Sequence, residues 1–359
     1  MNKTRKVILI VCLSALSATA TYFGGGVLAS YIASENTINV RGCGLESLDS
    51  DIYFIGQKVR RDFPLMQERK EITFSCGNET LMGYLYSVDQ PKGVIVCSHG
   101  VNSLADGTLA QFENYYISHG WDVFTIDMTG CGQSTGKGMK SLHESKYCVK
   151  NAIKTVKQYA ITKDLPVFCI GHSWGAYGAI AGSDGEDIKA VAAFSGYNQP
   201  AQMAYGFAAN YLSPALVLTK PALDMSMRLF YGNEAFVTAS SIIKKNTDTQ
   251  YVLIQGLDDD VVPYKTYSAL SAVEKNATAN STLIKLDNVG HLCPWKSNEA
   301  LNYFENGIIE EFDELEAKYK GNVPEDVYHS FIDKIDKEKS SEVNTALLDQ
   351  IEQVFLNSL

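Results

Sequence analysis

From residue 70 onward, short apolar runs alternate with longer segments whose apolar residues recur every three or four positions. The short runs are typical of buried strands, and the longer spacing is typical of helices packed on one face. Eight strands are predicted in this way, and their sequences are KEITFSC, LMGYLYSV, GVIVCSHG, WDVFTIDM, PVFCIGHS, IKAVAAFSG, QYVLIQG and STLIKLD. We expect the first two to pair antiparallel across a Gly77-Asn78 turn. The alternation predicts an α/β fold with a mostly parallel, eight-stranded sheet and helices on both faces.

The predicted helices fall between these strands. We expect helices through LAQFENYYISHG, from about Ser141, after Gly175 and around residues 264–276. Ser141 is followed three residues later by Glu144, which has the form of a capping box at the start of a helix. Before the alternation begins, DIYFIGQKVRRDF predicts a short amphipathic helix that Pro64 stops.

Two segments lie outside the alternation. Residues 198–240 contain no predicted strand, so we expect a small helical cap there, and residues 321–359 predict a pair of helices. The large side chains of the cap either pack its helices or line a pocket for an acyl chain. They are Tyr197, Met203, Tyr205, Phe207, Tyr211, Met225, Met227, Phe230 and Tyr231. The α/β domain itself is expected at residues 70–320, after a linker and short helix at 36–69.

The N-terminal 35 residues read as a membrane anchor or a signal peptide. Lys3, Arg5 and Lys6 precede an uncharged stretch over residues 7–34, which is longer than the ~20 apolar residues that a membrane span needs. Cations before such a stretch favour a cytoplasmic N-terminus and a catalytic domain on the other side of the cell membrane. Ala18-Thr19-Ala20 has the form of a cleavage site, and cleavage there would make the protein secreted.

Charge and cysteine content exclude several classes of function. The net charge is −10, from 31 basic and 41 acidic residues, and no long basic run offsets it. This argues against a nucleic-acid partner. The eight cysteines show neither a C-x-x-C pair nor a cluster with zinc spacing, and several lie in apolar runs. We therefore expect small buried thiols, and neither a metal nor another cofactor.

The strongest chemical signal is G-x-S-x-G at Gly171-His172-Ser173-Trp174-Gly175, between a predicted strand and a predicted helix. A sharp strand-to-helix turn lifts a serine hydroxyl clear of the sheet and aims the helix N-terminus at the site. The pattern predicts Ser173 as a nucleophile.

Residues 70–320 resemble the α/β-hydrolase superfamily, and within it the lysophospholipase, monoacylglycerol lipase and serine aminopeptidase branch. The resemblance rests on His99-Gly100, on D-x-x-G-x-G-x-S-x-G from Asp127 to Gly136, on LPVFCIGHSWG, on G-x-x-D-x-x-V-P from Gly256 to Pro263, and on Gly290-His291. One departure is Ala176, where the branch often has a second glycine. The Asp127 segment lacks the spacing of a phosphate loop, so we expect a structural turn there.

Among the six histidines, His291 alone follows the last predicted strand, where the general base is expected. We expect His99 to shape its loop and the side chain of His172 to point away behind the turn. His119 should end a helix, His143 should lie in a first helical turn, and His329 should lie on a C-terminal helix.

The resemblance also implies the remaining site residues. The acid lies within Asp258-Asp259-Asp260, and the spacing from Gly256 selects Asp259, with Asp258 as the second candidate. The oxyanion hole would use the backbone N–H groups of Trp174 and Val101, with Asn102 a weaker candidate.

These features predict a serine hydrolase that cleaves small-molecule or lipid esters with apolar acyl groups through an acyl-enzyme. Two alternatives stay open. One is a peptidase or amidase of the aminopeptidase type, although the sequence does not identify a carboxylate that would hold a substrate amine. The other is a catalytically silent fold used for binding.

Overall fold

A computed structural model describes residues 21–27, 40–211, 220–276 and 278–359, with the backbone alone at residues 207–211. Its eight-stranded sheet confirms the predicted fold class. The strands are β1 Lys70–Cys76, β2 Glu79–Tyr86, β3 Val94–Ser98, β4 Asp122–Asp127, β5 Val167–His172, β6 Ala190–Phe194, β7 Gln250–Gly256 and β8 Ser281–Leu286. They lie in the order β1-β2-β4-β3-β5-β6-β7-β8.

Antiparallel pairing is confined to one edge of the sheet. β1 pairs with β2, and β2 with β4, in antiparallel register, whereas the other neighbours are parallel. Gly77, with φ of +59°, makes the β1–β2 turn, as predicted. The parallel register brings the carboxyl ends of β3, β5, β6, β7 and β8 to one edge of the sheet, which is where sites form in such folds.

The longer helices before the cap are α3 Ala110–Ser118, α4 Glu144–Gln158 and α5 Trp174–Gly182. Two short helices, α1 Ser47–Ser50 and α2 Ile52–Ile55, and two 3₁₀ turns, Arg60–Asp62 and Pro64–Met66, precede the sheet. The cap region contains α6 Pro200–Tyr211, α7 Lys220–Tyr231, a 3₁₀ turn at Glu234–Phe236 and α8 Ala239–Lys245. After β7 follow α9 Ala269–Glu274, α10 Asn298–Asn302, a π-helix at Tyr303–Ile309, α11 Glu310–Tyr319, α12 Glu325–Ile332, α13 Lys337–Ser340 and α14 Thr345–Asn357.

Each face of the sheet carries its own apolar core. Val94 and Val96 of β3 face the layer that includes α4 and α5, and Ile95 and Cys97 face the layer that includes α3 and α14. This alternation follows from the two-residue period of a strand. Phe355 of α14 is fully buried and stacks on the ring of Phe168 in β5 with a centroid separation of 4.8 Å. The C-terminal helices predicted at residues 321–359 therefore include one that covers the sheet itself.

Two helix predictions were wrong. The segment over residues 51–63 is helical only at Ile52–Ile55, because it then bends under the C-terminal region: the Gly56 carbonyl accepts from Ser340 Oγ at 2.7 Å, and Lys58 N–H donates to Ser341 Oγ at 2.7 Å. The capping box at Ser141 does not form, and α4 begins at Glu144.

The reason for the later start of α4 lies at Leu142. Its carbonyl, which a helix begun at Ser141 would use for its first hydrogen bonds, instead accepts from Trp174 Nε1 at 3.1 Å and from the Tyr197 hydroxyl at 2.6 Å. The helix predicted around residues 264–276 is also shorter and covers Ala269–Glu274.

The predicted membrane anchor at residues 1–35 lies outside the described residues, apart from a helical stretch at 21–27. Across the part of the chain that the structure describes, no helix is long and apolar enough to cross a bilayer. Export of the catalytic domain stays a prediction from the charge pattern.

Candidate active site

Ser173 lies where β5 ends and α5 begins, with φ of +54° and ψ of −110°. Such a conformation is costly for a residue with a side chain, and it is found at sites that the surrounding structure holds in place. A Cβ on Gly171 would come within 2.2 Å of the Gly175 carbonyl oxygen, and a Cβ on Gly175 within 2.2 Å of the Ser98 carbonyl oxygen. Both glycines of the G-x-S-x-G pattern are therefore required by close backbone contacts.

The structure brings Ser173, His291 and Asp259 together from three different loops. His291 Nδ1 lies 2.9 Å from Asp259 Oδ2, and His291 Nε2 lies 2.9 Å from Ser173 Oγ. An ionised carboxylate can only accept, so the proton is on Nδ1 and Nε2 is free to accept from the serine hydroxyl. All three residues are at most 8% exposed. The arrangement fits a serine that loses its proton to histidine while a carboxylate holds the ring.

Asp259 is distinguished from its neighbours by burial and by its donors. Its side chain is fully buried, whereas Asp258 and Asp260 are exposed. Oδ1 accepts from the N–H groups of Val261 at 3.0 Å and Val262 at 2.7 Å. Since these donors fill Oδ1, Oδ2 is left for the imidazole.

Sequence reasoning missed Gln255, which shares Oδ2 of Asp259 with the imidazole. Its Nε2 donates to that oxygen at 2.8 Å and to the Val262 carbonyl at 3.2 Å, and the residue is 1% exposed. Gln255 is the one strongly polar residue between the ends of the buried strand QYVLIQG, and that interruption was the available signal.

The two predicted oxyanion donors flank Ser173. Trp174 begins α5, so its N–H is one of the first four of a helix, which have no partner within the helix. Val101 follows Gly100, where a Cβ would lie 3.4 Å from Ser173 Cβ. Asn102, the weaker candidate, has φ of +54°, and the Val101 side chain is 40% exposed.

Two buried groups hold the loop that carries Val101. His99 Nδ1 lies 2.7 Å from the Gly100 carbonyl, to which it donates, and His99 Nε2 accepts from Met128 N–H at 3.0 Å. Burial lowers the pKa of His99 to about 4, which keeps the ring neutral and able to do both. Asp127 Oδ1 accepts from Ala105 N–H at 2.9 Å, so the Asp127 segment is the structural turn that was expected.

The side chain of His172 was expected to point away from the site. It points towards the site instead. Its Nε2 lies 2.9 Å from the His291 carbonyl, and its ring centroid is 5.0 Å from that of His291. Burial and the neighbouring His291 ring lower the pKa of His172 to about 3, so the ring stays neutral and donates to that carbonyl. It therefore holds the loop that carries His291.

The other histidines lie near their expected places. His119 caps the C-terminal end of α3, His143 immediately precedes α4, and His329 lies in α12.

Among the described residues of the cap, several of the large side chains expected to line an acyl pocket are either packed in the core or exposed. Tyr197 and Met203 are buried in the core below the cap, and Met225 and Phe230 are about two-fifths exposed. The space between Met227, Tyr231 and the α4 region measures about 10 Å³, which is no more than one water molecule needs. For these described side chains, packing is the better account.

Among the described residues, two thiols and a carboxylate lie close enough together to hold a metal ion, which the cysteine spacing did not indicate. The ligand atoms of Cys76, Glu144 and Cys148 lie within 4.8 Å of one another. Thiolate and carboxylate ligands suit Zn²⁺. Glu144, however, already lies 3.9 Å from Lys140 Nζ and 3.4 Å from the Thr129 hydroxyl, and the triad geometry makes no use of this group.

Comparison with solved structures shows a fold similar to that of a known esterase. The esterase Pf2001 of Pyrococcus furiosus is 18% identical, with a TM-score of 0.51, over 72% of this chain and 93% of that one. Est1E of Butyrivibrio proteoclasticus, solved with ferulic acid bound, is 17% identical, with a TM-score of 0.49, over 68% and 99% of the chains. The α/β hydrolase GrgF of Penicillium sp. sh18 is 15% identical, with a TM-score of 0.49, over 70% and 98%. No match is found among curated proteins.

A family model described as serine aminopeptidase, S33, matches residues 89–280, more than half of the chain. The matched region contains Ser173 and Asp259 but ends before His291, which the fold brings to the other two. With the eight-stranded sheet and its sharp strand-to-helix turn, this match shows that the chain belongs to the S33 serine aminopeptidase family of α/β hydrolases.

Proposed function

We propose that this hydrolase cleaves carboxylic esters with Ser173 as nucleophile. The observation that carries the proposal is the chain of hydrogen bonds from Ser173 Oγ through His291 to Asp259, with both distances at 2.9 Å. His291 takes the serine proton as Oγ attacks the carbonyl carbon, and Asp259 holds the ring while it is charged. The N–H groups of Trp174 and Val101 are proposed to stabilise the oxyanion.

The reaction then proceeds in two balanced halves. Collapse of the tetrahedral intermediate releases the alcohol, which takes the proton from His291 Nε2, and leaves an acyl group on Ser173. Water next gives a proton to His291 and attacks the acyl carbonyl. When the second tetrahedral intermediate collapses, Ser173 Oγ leaves and takes that proton back from His291 Nε2, and the carboxylic acid is released. No cofactor is needed for either half.

An ester substrate is favoured over an aminoacyl amide, which carries an ammonium group, because the space beside Ser173 is lined mainly by apolar atoms. An aminopeptidase also needs a carboxylate that holds the substrate's ammonium group. Glu305 is the residue that keeps this alternative open, since its Oε1 lies 3.8 Å from the position of a Cβ on Gly290, next to His291. It lies in the π-helix, and such helices are frequent at functional sites.

The test compares purified wild-type protein with Ser173→Ala on esters and on aminoacyl amides, together with labelling by a fluorophosphonate. We expect ester turnover and labelling in the wild type, and neither in Ser173→Ala. Ser118→Ala, at an exposed serine at the end of α3, is the matched control and should behave as wild type. Equal ester turnover by folded Ser173→Ala would contradict the proposal.

If aminoacyl amides are the better substrates and Glu305→Gln removes that preference, the peptidase alternative replaces the ester proposal. Retained labelling by fluorophosphonate in that case would leave the role of Ser173 intact.

A further inference from the structure

A cavity of about 220 Å³ lies beside the strand-to-helix turn, between α2, the loop after β3 and the π-helix. Gly100 and His172 form part of its wall, and both adjoin Ser173. His172 precedes Ser173 in the chain, and a Cβ on Gly100 would lie 3.4 Å from Ser173 Cβ. The cavity therefore begins next to Ser173, where one substituent of the carbonyl under attack would lie.

Its walls suit an apolar group. Tyr53 and Phe54 come from α2, Leu292 from the loop that carries the base, and Phe304 from the π-helix. The Phe304 ring is held from behind by the buried Lys296, whose Nζ lies 3.7 Å from the ring centroid. Tyr53 is 41% exposed and lies edge-on to Phe304 at 6.5 Å, so it borders the mouth of the cavity.

One of the residues that line the cavity has a buried hydroxyl without a partner among the described residues. Ser103 lines the cavity and is 8% exposed, and among the described residues its hydroxyl finds no hydrogen-bond partner. A buried hydroxyl left in that state is unfavourable, and a polar atom on a bound ligand would remove the penalty.

The volume limits the size of the ligand. A protein cavity of about 150 Å³ holds one benzene ring, so 220 Å³ accommodates a group of about nine carbon atoms in the same proportion. An octanoyl or phenylpropanoyl group is of that size, whereas a sixteen-carbon fatty acyl chain is not.

We propose that this cavity binds one substituent of the scissile ester, and that the substituent is a compact apolar group of about nine carbon atoms at most that carries a hydrogen-bonding atom. The inference rests on the proposed function, because it assigns Ser173 as the point of attack. It places the selection of this substituent at α2, the loop after β3 and the π-helix.

The first experiment measures kcat/KM by proton release for two ester series. One varies the acid from acetate to palmitate as methyl esters, and the other varies the alcohol from ethanol to hexadecanol as acetates. In one of the two series we expect a rise of up to about fourfold per added methylene, ending near nine carbons. The series that responds tells whether the acyl or the alcohol part enters the cavity.

The second experiment changes the cavity. Thr108→Phe, which places a ring at the wall, should shorten the optimal substituent, and Tyr53→Ala, at a half-exposed position that tolerates truncation, should lengthen it. Met227→Ala in the cap is the matched control and should leave the optimum unchanged. Ser103→Ala should remove a preference of about two- to tenfold for methyl 3-(4-hydroxyphenyl)propanoate over methyl 3-phenylpropanoate.

Two results would overturn the inference while leaving the proposed function standing. They are a kcat/KM that climbs through sixteen carbons in both series, and an optimum that moves with Met227→Ala but with neither cavity variant. If the wild type hydrolyses no ester and no fluorophosphonate labels Ser173, the proposed function fails, and the inference fails with it.

Discussion

Replacing Asp259 with asparagine tests the arrangement of the site with a change of one atom. Both carboxylate oxygens face donors: Oδ1 accepts from the backbone N–H groups of Val261 and Val262, and Oδ2 accepts from His291 and Gln255. Asparagine has one oxygen, so its NH₂ group must face either the two backbone N–H groups or His291. Backbone N–H groups can only donate, but an imidazole can change its tautomer and accept. We therefore expect the NH₂ group to face His291.

The consequence for the rate follows from that tautomer. With its proton moved to Nε2, His291 can no longer accept from the Ser173 hydroxyl 2.9 Å away. Triads that lose their acid in this way lose up to ~10⁴ in kcat, which corresponds to about 5 kcal/mol in the activation barrier. Asp258→Asn and Asp260→Asn remove exposed charges instead, and we expect each to change kcat by less than about fivefold.

The assay compares kcat for the three variants on one ester, after circular dichroism and urea unfolding have shown that each is folded. Near-normal turnover by Asp259→Asn would refute the reasoning, and so would a large loss in Asp258→Asn alone, which would move the acid by one position.

Three further predictions concern other parts of the molecule. Gln255→Leu removes a hydrogen bond to the Asp259 carboxylate, worth about 1.5 to 3 kcal/mol, so kcat should fall at least about tenfold with KM little changed. The control Gln353→Leu, at an exposed position, should match wild type. Equal kinetics for the two variants would contradict the positioning role of Gln255. Burial raises the pKa of Glu113 from 4.5 to about 8 in the folded protein, so the free energy of unfolding should fall as pH rises through this interval. Glu113→Gln should flatten that part of the plot of unfolding free energy, measured with urea, against pH. Parallel plots for wild type and variant would contradict the raised pKa of Glu113. The cation-then-apolar N-terminus predicts that the full chain stays in the membrane fraction, and a mature N-terminus near Thr21 would show a cleaved signal instead.

The sheet could be predicted from the sequence because buried parallel strands such as β3, β5 and β6 are continuous apolar runs, and the antiparallel β1 and β2 lie on either side of the Gly77-Asn78 turn. The end of the helix within residues 51–63 could not be predicted from the sequence. It ends where Gly56 and Lys58 contact Ser340 and Ser341, nearly 300 residues later in the chain. A local pattern contains no information about such a contact.

The site shows the same division. The glycines around Ser173 follow from the local turn, so the motif identifies them. Gln255 and His172 act through partners supplied by the folded chain, Asp259 and the His291 carbonyl, and so periodicity and spacing alone did not reveal their contacts. The cavity beside Ser173 combines residues as distant as Tyr53 and Phe304, and only the fold brings them together.

The central claim is that Ser173 is the nucleophile, and locating the site of covalent modification tests it most directly. Wild-type protein would be incubated with a fluorophosphonate, digested, and analysed by tandem mass spectrometry for the peptide that carries the phosphonyl group. We expect one adduct, on Ser173, and none when His291 is replaced by alanine. An adduct on another serine, with Ser173 unmodified in active protein, would contradict it.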